Sequence, residues 1–190
     1  MYNSELKVKR YALESYGCQM NMADSELVDG ILKDIGLKKT ENLNDADAIF
    51  VNTCAIRENA EKKIHSRLGN FHKLKREKPH LIIGVLGCMA QNLKNDLLKN
   101  KPYVDIILGP DSYRNLPQLM NRHMVEQNSI VDTKLSRYEV YEDLFPKRNK
   151  GVNAWVSIMR GCDKFCSFCI VPFTRGRERS RSVKSIVTEV

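Results

Sequence analysis

The chain has 190 residues, 42% hydrophobic and 28% charged, with 31 Lys and Arg against 23 Asp and Glu for a net charge of +8. That composition supports one folded domain, or one domain and part of another, with enough apolar surface for a buried core. No apolar run approaches the roughly 18 residues of a membrane span, and Met1–Arg10 lacks the apolar stretch of a secretory leader. Membrane and secreted classes are excluded on these grounds, and a cytoplasmic protein is expected.

In chain order, Tyr11–Tyr16 reads as a strand running into Gly17 and Cys18. Leu27, Ile31 and Ile35, with Val28 and Leu32 beside them, form a helical face closed by Gly36. Ala48–Asn52 is a second strand ending in Thr53-Cys54. Ala60, Ile64, Leu68 and Phe71 repeat at helical spacing before Pro79. Leu81–Leu86 is a third strand ending in Gly87-Cys88, followed by a helix around Leu93, Leu97 and Leu98 and a fourth strand over Val104–Leu108. Leu116, Leu119, Met120 and Met124 mark a further helix, expected to be frayed by Pro117. The pattern is lost after residue 126, and Pro146–Gly151 reads as linker. A new strand over Val152–Met159 runs into Arg160-Gly161-Cys162, and Val183, Ile186, Val187 and Val190 are spaced as a helix with Ser182 as N-cap.

Alternating apolar strands and amphipathic helices predict an α/β fold, a parallel sheet with helices on both faces. The expected division is a first domain over residues 1–126, a linker over 127–150, and the opening βα unit of a truncated second domain over 151–190. The charge follows this division, since residues 149–190 carry 8 basic against 3 acidic side chains and residues 1–148 carry 23 against 20. The excess fits either an anionic partner or an ordinary solvated surface.

Six cysteines divide into two trios. Cys18, Cys54 and Cys88 stand 36 and 34 residues apart, each just past the carboxyl end of a predicted strand. In open α/β sheets that edge is where ligands bind, so three residues distant in sequence can converge there. Small buried cysteines are also common in cores. Cys162, Cys166 and Cys169 form a tight Cys-x3-Cys-x2-Cys loop. Zinc prefers four ligands, and His65, His72, His80 and His123 fall at no ligand spacing. Iron–sulfur clusters are ordinarily held by four thiolates, so a trio leaves one iron for an exogenous ligand.

The segment Cys162-Asp-Lys-Phe-Cys166-Ser-Phe-Cys169 resembles the cluster motif of radical S-adenosylmethionine enzymes. Ser157–Cys162, Ile170–Ser180, Ser15–Asn21, Asn52–Ala60 and Gly84–Ala90 resemble the methylthiotransferase family within that class, so the resemblance runs from Tyr11 to the last residue. Cys18-Gln-Met-Asn21 and Cys54-Ala-Ile-Arg-Glu58 are most similar to the members acting on isopentenyladenosine beside the anticodon of transfer RNA (tRNA); members acting on a ribosomal protein are poorer matches.

The resemblance implies two 4Fe-4S clusters. One, on Cys162, Cys166 and Cys169, would bind S-adenosylmethionine and generate a 5′-deoxyadenosyl radical that takes hydrogen from C2 of the adenine. The other, on Cys18, Cys54 and Cys88, would carry the sulfur to be transferred. It also implies a tRNA anticodon loop as partner, an electron donor, a sulfur source, and activity only in a longer chain that completes the barrel. Arg175, Arg177, Arg179 and Arg181 alternate, and on an extended segment they would share a face suited to phosphates, or else some would grip the cofactor carboxylate or pair with Glu178. A non-catalytic module carrying zinc or an iron–sulfur cluster is the reading from another class.

Overall fold

The structure is a computed structural model that describes residues 8–55, 58–146 and 153–190, without the side chains of 58–62. The motif residues Ile56 and Arg57, the side chain of Ala60, the linker residues 147–151 and the expected strand start at Val152 lie outside the described residues. Strand β1 (Arg10–Tyr16) leads through Gly17 and Cys18 into helix α1 (Gln19–Asp34), followed by β2 (Lys38–Lys39), β3 (Ala48–Thr53), α2 (Glu58–Glu77), β4 (Ile82–Gly87), α3 (Cys88–Asn100), β5 (Ile106–Leu108), α4 (Leu116–Glu126) and β6 (Ile130–Asp132). These six strands make one parallel sheet in the order β2-β1-β3-β4-β5-β6.

Alternation along the strands sends side chains into two cores, one on each face. Tyr11, Phe50, Ile82, Leu86, Ile106 and Leu108 pack against Leu27, Val28, Ile31 and Leu32 of α1 and Leu116, Leu119 and Met120 of α4. Ile49, Val51, Ile83, Val85 and Ile107 face the other way, against Ile64, Leu68 and Phe71 of α2 and Met89, Ala90 and Leu97 of α3. Both faces being covered, β3 and β4 are buried along their whole length and read in sequence as unbroken apolar runs. The predicted α/β sheet with helices on both faces is the fold observed.

Helix ends follow local chemistry. At the end of α1 the Gly36 amide bonds to Lys33 O and the Leu37 amide to Leu32 O, with both leucines in the core beneath. Pro117 does not fray α4: it lies in the helix's first turn, where its missing N–H costs nothing and its fixed φ suits the helix. α3 begins earlier than expected, at Cys88 itself, and carries a kink at Lys94.

The larger differences are at the sheet edges and in the second half. β2 and β6 were not expected, because each has only two or three residues and no apolar run to announce it. β6 pairs with β5 from inside the segment expected to be linker, and Tyr141 from the same segment is buried in the first core. The strand expected over Val152–Met159 is reduced to β7 (Met159–Arg160), which pairs antiparallel with β8 (Arg179–Ser180). A strand needs a bonded neighbour, and among the described residues β8 supplies only two positions. Between them stands the short helix α5 (Val171–Thr174), and α6 (Val183–Glu189) follows, capped by Ser182 Oγ accepting from the Ser185 amide at 3.2 Å, as the sequence predicts. Among the described residues no helix is long and apolar enough to cross a membrane.

The two-sided core makes opposite predictions for two glycines. A Cβ on Gly84, in the middle of β4, would lie 2.4 Å from Cδ1 of Phe50, whereas one on Gly69 of α2 would meet nothing within 4 Å. Gly84→Ala is expected to cost about 1–3 kcal/mol by overpacking. Gly69→Ala is expected to gain about 0.5–1 kcal/mol by removing a helix-interior glycine. Chemical denaturation of the two variants beside the parent checks both signs.

Candidate functional site

β1, β3 and β4 are neighbours, and their register sets Tyr16 beside Thr53 and Thr53 beside Gly87. Their carboxyl ends are therefore level; Cys54 and Cys88 follow at once, and Cys18 follows after Gly17. Cys54 and Cys88 are buried and Cys18 is half-buried. The backbone that carries them requires glycine twice. A Cβ on Gly17 (φ +141°) would stand 2.5 Å from Cys54 Cβ, and one on Gly87 (φ +90°) would stand 2.3 Å from Asn52 Oδ1.

Two buried asparagines brace this edge. Asn21 Nδ2 donates to Asn52 Oδ1 at 3.2 Å and to Thr53 O at 3.1 Å, and Asn21 Oδ1 accepts from the Cys18 thiol at 3.3 Å. Asn52 Nδ2 donates to Asn21 O and to Ser25 Oγ, each at 3.0 Å. Buried polar groups need such partners. Neither asparagine was given a role from the sequence. The available signal was Asn52 itself, a polar residue closing an otherwise apolar strand.

Cys162, Cys166 and Cys169 sit on the loop between β7 and α5, Cys166 exposed and the others half-buried. The Cys162 amide bonds to Gly176 O at 3.1 Å and the Cys169 amide to Cys166 O at 2.9 Å, which folds the loop back on itself. Phe165 meets Phe173 edge-on and lies 4.5 Å beneath the Arg177 guanidinium. Among the described residues, no three His, Cys, Asp or Glu side chains are gathered closely enough to hold a single metal ion. Three thiols just past adjacent strand ends, two of them in a dry setting, nonetheless suit a larger iron–sulfur centre, whose ligands are thiolates spaced over several irons. The histidines stand apart: His72 stacks on Tyr103, and His123 is buried on α4 against Asn128 O.

The four alternating arginines do not share a face. Arg177 is exposed, while Arg175, Arg179 and Arg181 are buried. Arg175 Nη2 donates to Asp24 Oδ2 at 2.8 Å, and Arg160 Nη1 to Asp24 Oδ1 at 2.8 Å. Arg179 Nη2 bonds both oxygens of Asp111, at 2.9 and 3.1 Å, and Arg181 pairs with Glu189 and Ser185. None of the pairs involves Glu178. Alternation places residues on one face only where the chain is extended, and here α5 ends at Thr174 and Gly176 takes a positive φ before β8 begins.

Asp24 is the centre of this network. Tyr113 OH also donates to it at 3.2 Å, and Arg160 lies over the Tyr141 ring at 4.9 Å while donating to Pro110 O at 2.9 Å. Burial would raise the Asp24 carboxyl, but Arg160 and Arg175 more than offset it and hold it below the usual carboxylate range. Burial pushes the Cys88 thiol up, against the opposing pull of Arg175, whose Nε donates to Cys88 Sγ at 3.2 Å. Sequence reasoning missed Arg160, Asp24 and Asp111. The signal for Asp24 was its place three and four residues before Leu27 and Val28, on the buried face of α1.

Residues 10–109 match the profile described as uncharacterized protein family UPF0004. The chain belongs to this family. The tRNA-2-methylthio-N(6)-dimethylallyladenosine synthase of Amoebophilus asiaticus is 54% identical over 179 residues, which cover 93% of this chain and 37% of that protein. The synthases of the same name from Parabacteroides distasonis and Chloroherpeton thalassium are each 50% identical, covering 96% and 95% of the chain and 40% of their own length. The resemblance carried by the motifs is thus borne out, and the chain spans about two fifths of the length of these curated relatives.

A buried pair with one partner removed leaves an uncompensated charge, so Asp24→Ala is expected to cost about 3–5 kcal/mol in chemical denaturation. The pH dependence has a definite sign. Asp24 has a folded pKa below its unfolded value of about 3.9, so its contribution is fully present above that value and is lost as pH falls through the folded one. Asp24→Asn should flatten the acid limb of the stability curve below about pH 4, where the parent's curve falls.

Proposed function

We propose that the intact protein places a methylthio group on C2 of N6-isopentenyladenosine at position 37 of tRNA, drawing on S-adenosylmethionine. The observation that carries this reading is the placement of Cys18, Cys54 and Cys88 just past the level ends of adjacent parallel strands, with a second thiol trio on a segment whose Arg175 reaches Cys88. The names and identities of the relatives support it.

Cys18, Cys54 and Cys88 would hold one 4Fe-4S cluster and Cys162, Cys166 and Cys169 another. Once bound, these groups would supply a transferable sulfur at the first trio and one-electron cleavage of S-adenosylmethionine at the second. The chain's own part is geometry and dryness. Asn21 and Asn52 fix the strand ends, Gly17 and Gly87 let the backbone approach, and burial keeps water from Cys54 and Cys88. Of the four arginines considered for RNA contact, Arg177 is proposed for the phosphate role, being exposed; Arg175, Arg179 and Arg181 are committed to internal pairs. An electron donor and a sulfur source complete the set of partners, in the cytoplasm. Residues 1–126 form the sulfur-carrying unit and 151–190 open the second domain, with 127–150 linking them and lending β6 to the first sheet.

Mass spectrometry of tRNA nucleosides from cells lacking the protein tests the assignment. Loss of the 2-methylthio nucleoside with accumulation of isopentenyladenosine is expected; unchanged tRNA with an unmethylthiolated ribosomal protein would sink it. In the intact protein, Cys18→Ala, Cys54→Ala and Cys88→Ala together should abolish methylthio transfer while 5′-deoxyadenosine still forms, and Cys166→Ala should stop both. A folded triple variant that makes no 5′-deoxyadenosine would refute the division of roles between the trios.

A further inference from the structure

We propose that Arg175 is a positioning residue for the sulfur centre at the first cysteine trio, donating hydrogen bonds to its sulfur from within the segment that carries the second trio. The inference rests on the reading of Cys18, Cys54 and Cys88 as ligands of a sulfur-carrying iron–sulfur cluster.

Arg175 closes α5, and its side chain is 2% exposed. It reaches from the second cysteine segment to the first sheet, where Nε donates to Cys88 Sγ at 3.2 Å and Nη2 to Asp24 at 2.8 Å. Nη1 is buried with no hydrogen-bond partner. A guanidinium has five donors, and leaving one unmade in the interior costs about 1–3 kcal/mol. The charge balance points the same way. Arg160 already neutralises Asp24, and with Arg179 on Asp111 three buried arginines face two buried aspartates. A network serving only to dock two segments has no use for the surplus cation, because an unpaired buried charge is destabilising. Thiols become anionic when they ligate a metal, so a filled first trio would supply the missing negative charge beside Arg175.

The chain with Cys162, Cys166 and Cys169 all changed to Ala, reconstituted anaerobically with iron and sulfide, isolates the first trio. Its midpoint potential and electron paramagnetic resonance spectrum are then compared after Arg175→Gln and after Asp24→Asn. Hydrogen bonds and nearby positive charge raise a cluster's potential, so Arg175→Gln is expected to move the midpoint negative and Asp24→Asn to move it positive. If Arg175 only holds the segment in place, both substitutions loosen the same joint and shift the midpoint in the same direction. That result, or an unshifted Arg175→Gln, overturns the proposal. If Arg175→Gln does not fold by circular dichroism, Arg175→Lys takes its place, with the same expected direction and a smaller shift. If the arginine variant folds but takes up no iron, iron content decides: Asp24→Asn filled to the parent's level supports the proposal, and Asp24→Asn equally empty overturns it. A parent that binds neither iron nor sulfide refutes the reading of the first trio itself, and this failure is separate from the others.

Discussion

A buried carboxylate that takes two arginines of the second half is the strictest constraint between the two halves of the molecule. Asp24 is held at one oxygen by Arg160 and at the other by Arg175, residues 136 and 151 positions away in the chain, and from within the first half by Tyr113. Taking such charges out of water is expensive, and the cost is recovered only by near-ideal geometry. That is why the fork of each guanidinium meets a carboxylate oxygen at 2.8 Å, and why Arg160 spends a further donor on Pro110 O. Apolar packing alone tolerates sliding. A buried carboxylate with two directional partners does not, so the network sets register as well as affinity.

Register matters because the two thiol trios have different supports. The first is part of the sheet: its spacing is fixed by backbone pairing between β1, β3 and β4 and by the exchange of hydrogen bonds between Asn21 and Asn52. The second rides on a loop whose only ladder contact among the described residues is the two-residue pairing of β7 with β8. Arg160 lies in β7 and Arg175 just beyond α5, so the arginines on Asp24 flank the Cys162–Cys169 loop on both sides. They tie both ends of that loop to the first sheet, and Arg179 on Asp111 adds a third tie. The lowered carboxyl of Asp24 keeps the tie ionised across the neutral range.

The central strands were legible because β3 and β4 are buried on both faces, and short unbroken runs such as Ala48–Val51 are what a strand shielded from water on both sides leaves in a sequence. The strand-end positions of Cys18, Cys54 and Cys88 followed from counting residues past each run. β2 and β6 were illegible for the opposite reason: Lys38–Lys39 and Ile130–Asp132 are strands because a neighbour is there to bond them, which no local pattern records. The asparagine brace and the Asp24 network share that difficulty. Asn21, Asn52, Asp24 and Asp111 are ordinary polar residues in sequence, and only the fold makes them buried and mutually satisfied.

The basic excess of the last 42 residues is in part an internal matter. Of the basic side chains there, Arg160, Arg175, Arg179 and Arg181 are turned inward, and three of these pair with Asp24 and Asp111 of the first half. Lys164, Arg177 and Lys184 are left exposed. Part of that charge is thus matched within the chain, by carboxylates of its first half. Net charge carries long-range information only for groups that stay in solvent, since a buried ion pair has little field beyond its own contact. What distinguishes Arg177 from its alternating neighbours is therefore its backbone: Gly176 turns the chain at positive φ just before it, and that turn sends Arg175 inward to Asp24 and Cys88 while leaving Arg177 above the Phe165 ring in solvent.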